Sequence, residues 1–484
     1  MNDRNHHGQN HHDHDHRARA HHSDLRELLP PAEPTLTTAP AELTQWVTAH
    51  SSRLADLGPG ADLAAPLDDL EPLRDLVGDA RVVALGESSH QIREFALLRH
   101  RMLRFLVEQL GFTVYAMEYG AAEGRAVDAW VQGGPGDIDD LLAPWGAQPQ
   151  GHGTEGGGTP LRGLGQPVEC RDTLRWLRHH NAGATHPVRF VGCDVPMAGG
   201  SLAPVLEPVA AYLATVDPGA LRFLHTALEI SEPIAGGTVV LPAYARLDLD
   251  PVEQDRLTTA LARLLGRLTD LREIYTERSG PAAYATALSD VRAAVTTDRA
   301  QRAMAEALAG APDGMDFASR ERYLADTLLE FLERSAPGTR VVLVGHNAHI
   351  QRSANQADGS LAVTSMGNLL SRALGRDYVP VALTGNGGRT VENVPDRDHP
   401  LGMRWGRAVT PEALPDSVEA LFAGVPGQPA LVDTRVLRAY ARRHGLPEPV
   451  RTRLDTAFIE IPALEAFDGI VCVPDTTVSA DTPR

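Results

Sequence analysis

The chain contains no lysine, so all 45 of its basic residues are arginine, set against 63 acidic residues. Without a lysine amine the protein cannot form a Schiff base, use a Ser–Lys dyad or hold a nucleotide through a P-loop lysine. The formal net charge of -18 also disfavours nucleic acid and anionic membranes as partners, because both carry dense negative charge.

Cysteine is scarce as well, with only Cys170, Cys193 and Cys472 in 484 residues. Three widely spaced cysteines form neither a disulfide framework nor a zinc site, and they fit a reducing compartment. No apolar run approaches the roughly 20 residues that a transmembrane helix needs, and the first residues lack the apolar core of a signal peptide. We therefore expect a cytoplasmic protein without a membrane segment.

The first 34 residues differ in composition from the rest of the chain. Eight of the first 22 residues are histidine. We interpret this stretch as a solvated, disordered tail. A loose metal-binding tract is the alternative, but no fixed spacing defines a coordination geometry.

Six short apolar segments have the pattern of buried strands, and helical stretches lie between most of them. The segments are RVVAL (81–85), TVYAM (113–117), VRFVGC (188–193), RVVLVG (340–345), YVPVALTG (378–385) and GIVCVP (469–474). Strands that alternate with helices favour an α/β fold, with a mainly parallel sheet and helices on both faces.

Almost 150 residues separate the third and fourth predicted strands, and most of them have a helical pattern. This span is too long for a simple crossover, so it predicts a helical insertion over about 200–336. A Gly- and Pro-rich stretch, 133–167, predicts a long loop of the kind that often covers an active site. The predicted domain covers 35–478, with a short tail at 479–484.

Polar residues follow the predicted strands at the points where the strands end. In a parallel sheet these carboxyl ends share one edge, where open α/β sheets bind ligands. Although each such residue alone is typical of a turn or a helix cap, five separate segments contribute here. We expect Asp194, Asn347 and Asn386 to contact substrate. The full set is Glu87, His90, Glu118, Asp194, His346, Asn347, His349 and Asn386.

Arg99 lies where an apolar residue is expected. On a helix that starts near Ile92, it falls in the middle of an apolar stripe that includes Phe95 and Met102. A guanidinium there needs an anionic partner, because an unpaired buried charge is very costly. We expect Glu118 to be that partner, either in a functional site or in a purely structural ion pair. Ser88 and Gln91 match a capping box at the helix start.

The segment HNAH spaces His346 and His349 by three residues, which places both on one face of a helical turn. Such a pair can bind a metal ion, or it can orient substrate and stabilise an oxyanion. The G-x-S-x-G nucleophile elbow and the H-E-x-x-H zinc motif are both absent.

Several of these segments together resemble the erythromycin esterase family, in the same order along the chain from about residue 40 to 478. They are ALGESSHQIREFALLRHRMLRFLVEQLGF, YAMEYG, VGCDVPMAGGS, VVLVGHNAHIQR, SMGNLLSRALG and FDGIVCVP. The paired G-E-x-x-H and H-N-x-H motifs make the resemblance specific. It implies a three-layer α/β/α core with added helices.

The resemblance also implies metal-independent hydrolysis of an ester or macrolactone, in macrolide inactivation or natural-product tailoring. The histidine that activates water in the family matches His90, and the glutamate of the same motif matches Glu87. The helix arginine matches Arg99, and the glutamate of the second strand matches Glu118. The H-N-x-H histidines match His346 and His349, either of which we expect to meet the oxyanion, with Arg99 as a further donor.

Three other functions remain open at this point, and the sequence leaves the oligomeric state open too. One is a divalent-metal hydrolase with Glu87, His90 and His346 as ligands. Another is an acyl-transfer or cyclising enzyme that uses the same His–Glu machinery. The third is a protein that binds and sequesters a macrocycle, which would not need so many convergent histidines and glutamates.

Overall fold

The computed structural model describes residues 40–58, 60–142, 167–310, 317–354, 363–399, 402–480 and 482. The predicted His-rich tail and most of the predicted Gly-rich loop lie outside these residues. None of the helices in the described ranges combines the length and the apolar character that crossing a bilayer requires.

Most strands form one sheet in the order β1-β8-β11-β6-β2-β5-β3-β4, and β7 pairs with an extension of β6. The five pairings from β11 to β4 are parallel, whereas β1 and β8 add an antiparallel edge. A separate hairpin joins β9 and β10. The strands are β1 (Ser52–Arg53), β2 (Val82–Leu85), β3 (Val114–Gly120), β4 (Arg189–Asp194), β5 (Val341–Val344), β6 (Tyr378–Pro395), β7 (Met403–Val409), β8 (Ala430–Asp433), β9 (Arg451–Leu454), β10 (Ala457–Glu460) and β11 (Gly469–Thr476).

The strand register brings three loops to one level. Val344, the last residue of β5, pairs with Leu85 on one side and with Met117 on the other. The chain positions directly after Leu85, Met117 and Val344 therefore lie side by side at the carboxyl edge of the sheet. All six strands predicted from apolar runs are confirmed, as β2, β3, β4, β5, β6 and β11.

Five strands were not predicted: β1, β7, β9 and β10 lack a buried apolar run, and the apolar run of β8 is only three residues long. Most of β7, for example, alternates between exposed and half-buried residues. It pairs along the outer part of β6, which extends well past the predicted end at residue 385. Edge and hairpin strands of this kind are set by pairing rather than by composition.

Helices cover both faces of the sheet, so the α/β prediction is confirmed. Before the insertion come α1 (Ala41–His50), α2 (Pro72–Val77), α3 (Arg93–Leu110), α4 (Ala121–Val131), α5 (Ile138–Leu141) and α6 (Val168–Asn181). The insertion contains α7 (Ala203–Val216), α8 (Leu221–Ser231), α9 (Val240–Asp248), α10 (Pro251–Asp270), α11 (Arg272–Ser279), α12 (Pro281–Leu308) and α13 (Phe317–Arg334). The remaining helices are α14 (Asn347–Ile350), α15 (Met366–Leu374), α16 (Thr434–His444) and α17 (Ala463–Ala466).

Three apolar clusters account for this layering. One packs α3 and α6 against one face of the sheet, and a second packs α1, α13, α15 and α16 against the other. The third lies among α7, α8, α10 and α12, so most of the helical insertion has a core of its own. α13 belongs to the sheet as well, since Leu324 and Leu328 join the second cluster.

The predicted domain end at residue 478 is too early. Ser479 is fully buried, and its hydroxyl donates to Glu169 at 2.7 Å. Thr482 is buried too, and its hydroxyl donates to the side-chain oxygen of Gln91 at 3.3 Å. The folded unit therefore extends at least to Thr482.

Candidate active site

The loop after β2 is held by a close approach of Gly86 to Asn347. A Cβ at position 86 would lie 1.9 Å from the side-chain oxygen of Asn347, so only glycine fits there. The backbone N–H of Asn347 donates to the carbonyl of Glu87 at 2.8 Å. The two histidine motifs, GESSH and HNAH, are thus joined through their backbones.

The predicted capping box at Ser88 and Gln91 is wrong. The helix α3 begins at Arg93 with Ile92 as its N-cap, and no side chain caps it. Gln91 has a positive φ of 63°, a left-handed conformation that ends the loop before the helix starts. Because the chain turns at Gln91, Ser88 stays in the loop and is buried beside the site.

Glu87 connects His90 to Arg99. Its Oε1 lies 2.9 Å from Nδ1 of His90, and its Oε2 lies 2.8 Å from Nη2 of Arg99. Arg99 therefore pairs with Glu87 and not with the predicted partner Glu118. The strand order explains the difference, because β5 separates β2 from β3 and with it the Glu87 loop from Glu118.

The side chain of His90 is 41% exposed, and its Nδ1 is held by Glu87. Burial lowers the pKa of His90, but the hydrogen bond to Glu87 and the charges of Glu87, Glu118 and Asp455 outweigh it and raise the pKa to about 9. An unperturbed imidazole has a pKa near 6.5. The site thus holds the proton on His90 more firmly than that.

His346, at the end of β5, is a neutral imidazole of defined tautomer. It is the N-cap of the short helix α14, and its Nδ1 accepts the backbone N–H of Ala348 at 3.2 Å. The proton of the neutral ring must then be on Nε2. Burial, together with the charges of His90 and His349, lowers the pKa of His346 to about 4. His346 thus offers a hydrogen-bond donor without carrying a charge.

His90 and His346 face each other across the site. Their ring centroids are 5.2 Å apart and the rings meet edge to face. The rings of His346 and His349 are 6.5 Å apart. The structure therefore brings together His90, Glu87, Arg99 and both histidines of HNAH, which the sequence placed at one sheet edge.

Glu118, within β3, organises the far side of the site. Its Oε2 accepts the backbone N–H of His346 at 2.9 Å, and its Oε1 lies 3.1 Å from Nε2 of His349 and 3.0 Å from Nη2 of Arg320. Burial alone would raise the pKa of Glu118, but His349, His90 and Arg320 hold it well below its usual value. This carboxylate is ionised and fully engaged by its neighbours.

His349 lies between two carboxylates. Its Nδ1 is 2.5 Å from Oε1 of Glu321, on the side opposite Glu118. Burial lowers the pKa of His349, but Glu118 and Glu321 outweigh it and raise the pKa to about 10. Because both ring nitrogens bond carboxylates, His349 is a cation that holds the site together and has no free donor for an oxyanion.

Arg320 and Glu321, both on α13, were not predicted from the sequence. A usable signal exists for Glu321, which shares a buried stripe with Leu324, Leu328 and Leu332 in helical spacing. This is the same pattern that singled out Arg99. Arg320 gives a weaker signal, because it lies at the edge of this stripe, at helical spacing from Leu324 and Leu328.

The three residues expected to contact substrate have different surroundings. Asp194 is buried, and its Oδ2 accepts a hydrogen bond from Nη2 of Arg320 at 2.6 Å. Asn347 is fully buried, and its amide donates to the carbonyl of Leu383 at 3.0 Å. Asn386 is half-buried within β6 and not beyond its end, because β6 continues to Pro395.

The predicted metal ligands have other partners. Glu87 bonds His90 and Arg99, and Nδ1 of His346 accepts a backbone N–H. An arginine on the carboxylate disfavours a cation at the same oxygen. Within the described ranges, no group of three His, Cys, Asp or Glu residues has an arrangement that could hold a metal ion.

The chain matches known proteins over most of its length. The family model for erythromycin esterase matches residues 107–476. Erythromycin esterase type II from Escherichia coli is 33% identical over 417 residues, which are 85% of this chain and 93% of that protein. The chain belongs to the erythromycin esterase family. Erythromycin esterase type I from Escherichia coli is 23% identical over 416 residues, covering 84% of this chain and 93% of that protein.

Solved structures share the fold. A mutant of the erythromycin esterase EreC in its open conformation matches with a TM-score of 0.72 at 22% identity, covering 87% of this chain and 96% of that one. A succinoglycan biosynthesis protein matches with a TM-score of 0.60 at 18% identity, covering 90% and 97%. At these identities the structural matches support the fold of this family member and no more.

Proposed function

We propose that this member of the erythromycin esterase family hydrolyses the ester bond of a macrolactone, using a water molecule activated by His90. The observation that carries the proposal is the chain of contacts Arg99–Glu87–His90, which ends in an accessible imidazole facing the neutral His346. The substrate class comes from the relatives, since two curated proteins that the chain resembles are named erythromycin esterases.

His90 is the proposed general base. In its neutral form Nδ1–H donates to Glu87, which leaves Nε2 to accept a proton from water. Glu87 then stabilises the imidazolium that forms, and Arg99 keeps Glu87 ionised and in place. The arrangement resembles the orienting acid–histidine pair of hydrolytic triads, with water as the nucleophile.

His346 is the proposed donor to the oxyanion. Its Nε2–H is fixed by the tautomer, and the ring lies opposite His90 at 5.2 Å between centroids. A neutral donor in a buried site can stabilise the developing negative charge of the oxyanion through a hydrogen bond. Because His349 is occupied on both nitrogens, we assign it to holding Glu118 and Glu321.

The groups that could form a covalent intermediate are poorly placed. Ser88 and Ser89 are buried, and the hydroxyl of Ser89 donates to the carbonyl of His90. Burial raises the pKa of Cys170 to about 12 and holds the pKa of Cys193 well above its usual value. Direct attack by water on the ester carbonyl is therefore the route we favour.

The experiment is to incubate the purified protein with erythromycin and follow the products by mass spectrometry in H₂¹⁸O. Ring opening by water adds one ¹⁸O to the carboxylate product in the wild type, and His90→Ala should form this product about 10²–10⁴-fold more slowly. Binding of the macrocycle without turnover would instead support sequestration. An adduct with an added alcohol, formed in preference to the acid, would support acyl transfer.

The same assay tests the metal question. We expect turnover to be unchanged after dialysis against a chelator. Loss of turnover that returns on adding a divalent ion would overturn the metal-independent mechanism and restore Glu87, His90 and His346 as candidate ligands.

A further inference from the structure

The β9–β10 hairpin brings a residue from the C-terminal part of the chain to the site. The hairpin pairs Leu454 with Ala457, so Asp455 lies at its tip. Asp455 donates its backbone N–H to the carbonyl of Ser88 at 2.8 Å, and Ser88 lies between Glu87 and His90. The tip of the hairpin is therefore bonded directly to the catalytic loop.

The body of the hairpin is firmly anchored. The carboxylate of Glu419, which is fully buried, accepts from the backbone N–H of Arg453 and from the hydroxyl of Thr452, both at 3.0 Å. The guanidinium of Arg453 donates to the carbonyl of Gly385 at 3.0 Å, which ties β9 to β6. Anchoring of this kind holds Asp455 in a fixed position relative to the sheet edge.

The conformation and surroundings of Asp455 are unusual for a turn residue. Its φ is 50°, in the left-handed region that Asp and Asn tolerate better than most residues. Its Oδ1 is shielded from solvent and has no hydrogen-bond partner among the described residues. Glu87 and Glu118, by contrast, each contact an arginine. A buried oxygen without a hydrogen-bond partner destabilises the folded protein unless another interaction compensates for the loss of solvation.

We propose that Asp455 is a positioning residue for the proposed hydrolysis: presented by the β9–β10 hairpin, its carboxylate faces the His90–His346 pair and stabilises the imidazolium that forms on His90 when water loses its proton. The proposal rests on the proposed function for its catalytic meaning. It adds a third carboxylate, from a separate segment of the chain, to the two that the GESSH motif and β3 supply.

The charges that act on His90 come from several elements. Glu87 is in the same loop, Glu118 is on β3, Asp455 is on the hairpin, and the neutral His346 lies opposite. The charge of Asp455 acts on both imidazoles and raises the pKa of each against the effect of burial. Removing that charge should therefore make His90 give up its proton at lower pH, while the Glu87 contact remains.

The test compares Asp455→Asn with Glu460→Gln. Asparagine keeps the shape of the side chain and tolerates the left-handed φ. Glu460 is on β10 of the same hairpin, with a side chain that is 52% exposed, and it pairs with Arg451. Each change removes one negative charge from the hairpin, but only Asp455 is bonded to the loop that carries His90. We expect the apparent pKa of the kcat/KM profile to fall by about 0.5–1 unit in Asp455→Asn and to stay unchanged in Glu460→Gln.

A third variant, Asp455→Gly, separates the charge from the turn. Glycine takes the left-handed conformation easily, so this variant should fold at least as well and show the same shift in the pH profile. If Asp455→Asn and Asp455→Gly both keep the wild-type profile, the proposal is wrong. An equal shift in Glu460→Gln would also overturn it, because the effect would then be general electrostatics of the hairpin.

A measurement without substrate keeps this test independent of the esterase assay. The ring resonance of His90, assigned by its loss in His90→Ala, is titrated by NMR in the wild type and in both Asp455 variants. A lower pKa of His90 in both variants supports the proposal even if no ester is turned over. An unchanged pKa refutes it even if the protein is an active esterase.

Discussion

Replacing Arg99 with leucine tests the contact that the sequence pointed to and the structure reassigned. Arg99 and Glu87 are 2.8 Å apart, and their side chains are only 11% and 7% exposed. Leucine fits the apolar stripe formed by Phe95, Met102 and Leu103 on the same face of α3. The change therefore removes the charge with little steric disturbance.

The expected loss of stability is large for a single substitution. Breaking a buried ion pair by removing one partner typically costs about 3–5 kcal/mol, because the other charge stays buried without compensation. His90 still contacts Glu87, which places the expectation for Arg99→Leu at the lower end, about 3 kcal/mol. Urea unfolding of the wild type and the variant at pH 7.5 measures the difference in the free energy of unfolding.

The loss should depend on pH in a defined direction. Burial raises the pKa of Glu87, but Arg99 and His90 outweigh it, so the folded value is lowered from 4.5. A carboxylate whose pKa is lowered in the folded protein contributes stability above its unfolded pKa, and that stability is lost as pH falls through the folded pKa. Without Arg99 this contribution disappears, so the difference between wild type and variant should stay nearly constant from pH 7.5 to about 4.5 and shrink as the pH falls below 4.5.

The double variant Arg99→Leu/Glu87→Leu separates structure from catalysis. Replacing both partners with apolar side chains should recover most of the stability, since no charge is left unpaired. It should remain inactive, because His90 has lost the carboxylate that orients it. If the double variant hydrolyses ester at the wild-type rate, the proposed role of Arg99 and Glu87 in orienting His90 is wrong. If it is as unstable as the single variant, the loss of stability in Arg99→Leu does not come from the broken ion pair.

Three further outcomes are expected. His90→Ala should lower kcat about 10²–10⁴-fold with an unchanged melting temperature, because it removes the general base from a loop; full activity would mean that another group is the base. His346→Asn keeps a side chain suited to the N-cap but loses Nε2–H, so kcat should fall about 10²–10³-fold; an unchanged kcat would remove His346 from the oxyanion site. Because the pKa of His90 is raised to about 9, kcat/KM should rise from pH 7 towards pH 9; a plateau already reached at pH 7 would contradict this.

Local pattern in the sequence was enough to place most of the candidate site residues at one edge of the sheet. The apolar runs in β2, β3, β4, β5 and the first part of β6 are continuous, and the polar residues that follow these runs are visible by position alone. Arg99 stood out because a charge on an apolar helical stripe is costly in any fold. Each of these inferences depends on residues that are neighbours along the chain.

Pairing between distant segments was beyond the reach of the same reasoning. Glu118 was the expected partner of Arg99 because β2 and β3 follow each other in the chain. The sheet places β5 between them, so Arg99 contacts Glu87 and Glu118 turns to His349 and Arg320. Strand order is decided by which faces pack in three dimensions, and the spacing of motifs does not encode it.

The sequence by itself determined the α/β class, the helical insertion and the set of titratable groups at one sheet edge, because strand and helix periodicity and strand-end position are local properties. Only the tertiary structure decided what those groups do. The raised pKa of His90, the neutral tautomer of His346 and the charged His349 depend on which partners lie within a few ångströms. Those partners come from segments as far apart as Glu87, Glu321 and Asp455, and folding alone brings them together.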